Sequence, residues 1–555
     1  MKVALSQRWL RRLGVVTTTV GVVAGIASHA AASDLTHVPA ANPKVPGFAA
    51  PNVLSPELTE SPVAQGSIAL ENGTPTIPFY GYDGNGPMLP LAGDVQAPGH
   101  NVEASKTEPD KNTYLVLHGQ HGADPDYDYG QHFLFQGHET GVQGYVTRIN
   151  LDADGAHRVT LFATTDDHGT PLPVFDGSTW DPFAQRLLFT AELGTAGGVW
   201  SSTLDFPPVV KDASAAFGRG GYEGIQNDSD GNLWIVEDSG GKAGTANTHA
   251  KQPNSFVYRF VPKNPHDLTR GRLQALQVGS LAHPGQPIVF HAGQADADIL
   301  SDDVRDLHTY GKVFSTRWVT LHDTDTDPSG APFDANALAK AAGATPFKRP
   351  ENGLFRPTSG FREFFFDETG DTNSLTEAGQ AFGGFGGILK LTQASPSADT
   401  GLLTLFYLGD VAHTGLDNVA WWSRNEIVFV EDAGDGLHAQ RNALDSAYLF
   451  DVTLNYANPA NQPLRLLAEG RDASATLDSS LGAVPNTGFQ NEGDNEITGM
   501  HVSDGDPTPF GILGVKAPRP FRLFSGWRVF YTQQHGDNVT WEISRPRPPF
   551  GTHDD

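Results

Sequence analysis

The 555-residue sequence contains no cysteine. That absence excludes disulfide staples, thiolate metal ligands and cysteine nucleophiles together, so the fold must rest on burial alone. Long apolar runs are also missing, and nothing beyond residue 32 is long and apolar enough to span a bilayer. Sustained helical periodicity is scarce; the best candidate is a short stretch around Asp334 to Ala342. Basic residues are few, 37 Lys and Arg against 64 Asp and Glu, for a formal charge of −27. An acidic surface of this kind repels nucleic acid and anionic membranes, and neither is an expected partner.

What is present begins with a charged leader. Residues 1–32 carry Lys2, Arg8, Arg11 and Arg12 and no acidic residue, then an apolar stretch from Leu13 to Ile26 and the small-residue run SHAAAS. This reads as a secretory signal peptide, with cleavage after Ala30 or Ala32. The pair Arg11 and Arg12 equally permits a twin-arginine route, in which the chain folds and takes up metal before export. The mature protein is expected beyond the cytoplasmic membrane, periplasmic or extracellular, as a monomer.

Residues 33–66, rich in Pro, Ala, Ser and Asn, read as an extended lead-in. From residue 67 to 545 the chain consists of short β-branched, aromatic and leucine-rich runs bounded by Gly, Pro, Asn and Asp, followed by a tail over 546–555. NTYLVLHG, GNLWIVED, FREFFFDE, NEIVFVED and RVFYTQQHG are examples, and all read as strands. A loose repeat runs through them: a turn leads into an apolar strand, and an acidic or amide residue closes it. Glu192, the pair Glu237 and Asp238, the pair Asp367 and Glu368, and the pair Glu431 and Asp432 are such closing residues. The fold class expected is all-β, a β-propeller with inserted loops and short helices. A propeller gathers equivalent strand ends around one channel, so acidic residues far apart in sequence converge.

The candidate ligands come from five segments. LLFTAE supplies Glu192, GYEGI Glu223, KRPENG Arg349 and Glu351, GLDNVA Asp417 and Asn418, and DNEITG Asn495 and Glu496. Taken singly, each acid is an ordinary turn residue of an acidic protein. Their recurrence at strand ends points to a site for a hard cation such as calcium, which takes carboxylate and amide oxygens. Clustered cations suit phosphate-ester hydrolysis because they neutralise phosphoryl oxygens. Arg349 is placed to bind phosphate bidentately, and His535, in QHGDN, to orient a ligand or donate to phosphate. The alternating Asp323, Asp325 and Asp327 resemble the start of a calcium loop, although Pro328 stands where such a loop needs glycine.

In their order these segments resemble the PhoX-type alkaline phosphatases, exported calcium-dependent propeller enzymes of bacteria. RPENG is similar to that family's RPEDG element, GYEGI to its HEA element, LDNVA to its PDN element, and NEITGMHVSDGD with RVFYTQQHGDN to its NEPTG…FSPDG…LFVNIQHPG segment. STRWVTLHDTDTDP and STWDPFAQRLLFTAE resemble two further stretches. The resemblance implies metal-ligand roles for Glu192, Glu223, Glu351, Asp417 and Glu496, a phosphate-binding role for Arg349, a phosphomonoester substrate, and calcium as cofactor. It also implies iron, held in the family partly by a cysteine thiolate just before the second of those stretches. Here that neighbourhood reads PVFDGSTWDP, and Asp176 is the nearest oxygen ligand to the missing thiolate. A histidine usual before Glu223 is Tyr222. Two other readings stay open: a non-catalytic calcium-binding propeller, and a calcium-dependent esterase or lactonase.

Overall fold

Alternation of apolar residues dictates how the strands stack. In Glu363–Glu368, Phe364 and Phe366 point to one face and Phe365 to the other, as a period of two requires. Both faces are buried, because each sheet is sandwiched between two neighbours: Phe364 and Phe366 pack with Trp234 and Leu276, and Phe365 with Val419 and Phe429. In this computed structural model the residues described are 34–44, 50–66, 68–83, 107–141, 143–327, 329–470, 496–522, 524–534 and 538–546. The leader over 1–32, Asn495 and His535 lie outside them.

The described residues form six antiparallel blades. The first comprises Pro109–Val116, His132–His138, Val146–Asn150 and Val159–Ala163, and the second Ser178–Asp181, Arg186–Ala191, Gly198–Ser202 and Val210–Asp212. The third is Tyr222–Asn227, Leu233–Glu237, Val257–Asn264 and Asp267–Val278; the fourth is Gly353–Phe355, Glu363–Glu368, Gly387–Gln393 and Thr400–Leu408. The fifth is Leu416–Trp421, Glu426–Glu431, Ser446–Asp451 and Leu464–Ala468. The sixth takes Glu496–Ser503, Arg528–Gln534 and Val539–Ser544 from the end of the chain and its outer strand, Thr59–Ala64, from the beginning. The chain is therefore a β-propeller, closed by its own N-terminal segment. The stretch read as a lead-in supplies that strand and also Val53–Leu54, which lines the outer edge of the fifth blade.

Six apolar clusters fill the six gaps between blades. Fully burying one large apolar side chain such as Leu or Phe contributes roughly 1.5–3 kcal/mol, and every gap buries ten or more apolar side chains larger than alanine, which offsets the lack of disulfides. A strand over Phe314–Asp323 joins the outer edges of the third and fourth blades, so those edges pair within the molecule. The expected short helix forms as Ala335–Ala341, capped by Asp334, whose Oδ1 accepts from the Ala337 amide at 2.8 Å. No helix of the described residues is long and apolar enough to cross a membrane.

Innermost strands run outward from one common mouth. The opposite end is plugged by the segment after Ser503. Gly505 accepts from the Val116 amide at 2.7 Å, Pro507 from the Trp180 indole at 2.8 Å, and Gly514 from the Thr358 amide at 3.0 Å. Gly505 has φ +70°, and an added Cβ there would press on Val116 and Tyr114, so the plug approaches the channel closely only as glycine. Between plug and mouth the described residues enclose small cavities of about 40 and 20 Å³, each lined by Lys111 and His501.

Candidate metal centre

Each blade places one carboxylate at the mouth end of its innermost strand. Asp110, Glu223 and Asp417 are second residues of those strands in the first, third and fifth blades. Asp176 and Glu351 precede the innermost strands of the second and fourth blades by two residues, and Glu496 opens that of the sixth. In the first, third and fifth blades the register slips at that point: between Pro109 and Asn112, Tyr222 and Ile225, and Leu416 and Val419. A bulge re-aims the side chains it contains, and these three bulges contain Asp110, Glu223 and Asp417. A second tier, Glu139, Glu192 and Asp238, follows the closing ends of the neighbouring strands.

These carboxylates meet in three triads, each with ligand oxygens mutually within 4.8 Å: Asp110, Glu139 and Asp176; Asp176, Glu192 and Glu223; Glu223, Glu351 and Asp417. Shared members link the triads into one continuous track. Glu192, Glu223, Glu351 and Asp417, expected from the sequence to hold metal, thus come together. Glu496 stands outside the triads; its carboxyl faces the charges of Asp432, Glu139, Asp417 and Asp110. His535 and Asn495 are not described.

Asp110 and Glu139 were not among the candidates. The apolar run NTYLVLHG starts at Asn112 and leaves out the acid just before it, whereas Glu139 closes the next strand as Glu192 does. Superposing the repeats on GYEGI and GLDNVA would have exposed Asp110. The histidine-rich segment from His118 to His138 builds nothing comparable: His138 is buried between Thr107 and Thr147, and His132 pairs with Asp152 at the surface. The Asp323 to Asp327 turn is tied down by cations of the protein itself, since both oxygens of Asp325 are taken by Lys263 and Arg270. Tyr222, where the family has histidine, is a core residue whose hydroxyl donates to the Phe217 carbonyl at 2.6 Å.

The electrostatics are severe. Two unit charges 4.8 Å apart at an effective dielectric near 20 repel by about 3–4 kcal/mol. Burial above all, and then this repulsion, push the carboxyls of Asp110, Asp176, Glu192, Glu223, Glu351 and Glu496 well above the usual range. Burial likewise lifts Asp417 to about 7. Without cations such a track can exist only partly protonated. Under it lies Lys111, buried, its ammonium donating to the Val419 and Met500 carbonyls at 3.3 and 3.4 Å. Several buried oxygens along the same end have no partner, among them Asp238 Oδ1, Asp367 Oδ2 and Asn418 Oδ1. An all-oxygen donor set with unpartnered oxygens fits hard cations such as calcium.

Arg349 sits at the edge of the track with φ +59°, a left-handed conformation uncommon for a non-glycine residue. Its Nε donates to Asp238 Oδ2 at 2.7 Å and its Nη2 lies 2.6 Å from the same oxygen and 3.4 Å from Glu351. Its Nη1 donates to Thr372 at 3.2 Å. Much of the guanidinium fork is therefore already committed. The loop bearing it is fixed from below: the Lys348 amide donates to Glu368 Oε1 at 2.7 Å, whose other oxygen meets His308 at 2.8 Å, and the Lys348 ammonium pairs with Asp371.

Comparison with known proteins agrees with this architecture. Residues 245–510 match the family model of alkaline phosphatase PhoX. No curated protein sequence matches the chain. Among solved structures, Pseudomonas fluorescens PhoX in complex with vanadate, a transition state analogue, superposes with a TM-score of 0.51 at 12% identity, covering 92% of this chain and 98% of that one. Sqt1 from Chaetomium thermophilum superposes with a TM-score of 0.30 at 9% identity, covering 80% and 97%.

Proposed function

We propose that this chain, PhoX-like over residues 245–510, is an exported metal-dependent phosphatase that hydrolyses phosphomonoesters at the mouth of its propeller. The observation that carries the reading is the track of three carboxylate triads sharing Asp176 and Glu223. Asp110, Glu139, Asp176, Glu192, Glu223, Glu351 and Asp417 would hold calcium ions, with Glu496 closing the ring from the sixth blade. When bound, the cations supply charge neutralisation of the phosphoryl group and activation of the attacking water.

The residues of the chain perform the rest. Arg349, with the N–H groups that Asp238, Glu351 and Thr372 leave over, steadies the phosphate oxygens. Lys111 balances part of the acidic charge from beneath. The plug after Ser503 closes the far end of the channel, so substrate and product pass by the mouth alone. His535, which follows Gln534 in the sequence, is assigned to orient a ligand or donate to phosphate. The enzyme acts as a monomer on a small phosphate ester, without nucleic-acid or membrane partners.

Iron remains part of the proposal only through oxygen ligands. Asp176 stands near the position of the family's thiolate and is shared by two triads, so iron held there would be bound by carboxylate. Elemental analysis of protein purified without chelator decides between a calcium-only and a mixed centre. Turnover of p-nitrophenyl phosphate, lost on metal removal and restored by calcium, tests the function; no turnover with calcium and iron both supplied would leave a non-catalytic calcium-binding propeller. That second reading draws its support from the missing cysteine. Hydrolysis of neutral esters in preference to phosphate would instead mark an esterase or lactonase.

A further inference from the structure

The loop between the second and third strands of the third blade lies at the mouth and carries Lys251. Its backbone is held from both sides. The Lys251 amide donates to Asp371 Oδ1 at 3.0 Å, and its carbonyl accepts from the Lys348 ammonium at 3.3 Å. Lys348 and Asp371 are themselves a fully buried pair. Two residues earlier, His249 donates from its amide to Glu377 and meets that carboxylate again through Nδ1, both at 2.9 Å. The loop of the third blade is thus latched to that of the fourth, and together they wall the side of the mouth where Arg349 sits.

The Lys251 side chain takes no part in this latch. It is half-buried, and among the described residues its ammonium makes no hydrogen bond and no ion pair. A long cationic side chain loses up to about 2 kcal/mol of rotamer freedom when ordered, and partial burial of its charge costs more unless something pairs with it. The charge acting on it most strongly is the guanidinium of Arg349, a like charge, ahead of the acids Asp238, Asp371 and Glu351. Lys251 is tied through its backbone to Asp371 and to Lys348, the residue before Arg349, so both cations belong to one latched rim; one has its fork largely spent on Asp238 and the other is unspent, an arrangement suited to an anion that arrives from outside. Left-handed φ values at Arg349 and at its partner Thr372 show that the rim holds this shape against a local backbone preference.

We propose that Lys251 is a second substrate-binding residue, its ammonium completing with Arg349 a cationic wall for the phosphate oxygens that point away from the carboxylate triads. The proposal rests on the phosphatase reading for its substrate class but is tested by binding as well as by turnover. Lysine suits this position because its compact charge and three rotatable donors adapt to a tetrahedral anion as it enters and leaves.

The test compares the calcium-loaded protein with its Lys251→Met and Lys251→Arg variants. Inorganic phosphate is titrated calorimetrically, and KM and kcat are measured for p-nitrophenyl phosphate. Loss of one charge-assisted hydrogen bond predicts about tenfold weaker phosphate binding in Lys251→Met. KM is expected to rise by a similar factor with kcat within about twofold, calcium content unchanged, and most of the affinity regained in Lys251→Arg. Phosphate affinity in Lys251→Met equal to that of the unaltered protein would overturn the proposal, as would a loss that follows calcium content. If the unaltered protein binds phosphate without hydrolysing the ester, the catalytic reading fails and the titration still judges Lys251. If it binds no phosphate, Lys251 has no such role.

Discussion

Asp176 and Glu223, from the second and third blades, bring carboxylate oxygens within 4.8 Å of each other, and each also belongs to a second triad. Because both residues are shared between triads, a change at either one alters two triads at once. Glu223→Gln removes one charge from two triads at once. The metal-free variant is expected to melt at a higher temperature than metal-free parent protein, while the gain on adding calcium shrinks and phosphatase activity falls at least about 100-fold. A variant that retains both activity and calcium stabilisation would take Glu223 out of the centre.

Metal removal has a pH signature. An acid whose folded-state pKa lies above its unfolded value stabilises the fold fully below the unfolded value, near 4, and that contribution is lost as pH rises through the folded value. Burial first of all raises Asp417 to about 7, and its neighbours are raised too. Chelator-treated protein should therefore lose stability as pH climbs from about 4 through 7. Saturating calcium, competing with protons for the same oxygens, should flatten or reverse the slope, and at 100 times its dissociation constant should add about 2.7 kcal/mol. Melting curves across pH with and without chelator measure both; a metal-free protein most stable at pH 8 would contradict the prediction.

Arg349 to lysine is not a conservative change here. The guanidinium spans Asp238, Glu351 and Thr372 at once, and an ammonium reaches one of these at a time. Arg349→Lys is expected to lower kcat/KM at least about 30-fold, with added guanidinium ion restoring part of it. Activity close to that of the parent would show that the charge alone, without the fork, is what the site uses.

The N-terminal segment closes the propeller, and its removal should be felt far from the mouth. Thr59–Ala64 pairs with Val539–Ser544, Val53–Leu54 with Leu464–Ala468, and Asp34 with Arg545. Deleting residues 34–66 bares the edges of two blades and takes Leu35 and Leu58 out of the core. A melting temperature lower by about 10 °C or more, together with self-association by light scattering, is the expected result. An unchanged melting temperature would show that the closure carries no stability.

Several features were legible in the sequence because they are local. Apolar runs such as EFFFDE alternate with a period of two, and turn residues at both ends mark them as strands. The acids of GYEGI, RPENG and GLDNVA stand out because they recur at strand starts, and the lack of cysteine alone removes thiolate ligands. What only the tertiary structure decided is non-local: that six blades close on one another, that Thr59–Ala64 completes the sixth and Val53–Leu54 extends the fifth, and which acids lie within reach of one another. Asp110 and Glu139 joined the centre through a bulge and a strand end whose partners are dozens to hundreds of residues away. The fork of Arg349 turned out to be engaged by Asp238, more than 100 residues earlier in the chain. Side-chain periodicity is written within a strand, whereas distances between carboxylates are set by how blades pack around an axis, and no stretch of sequence contains that axis.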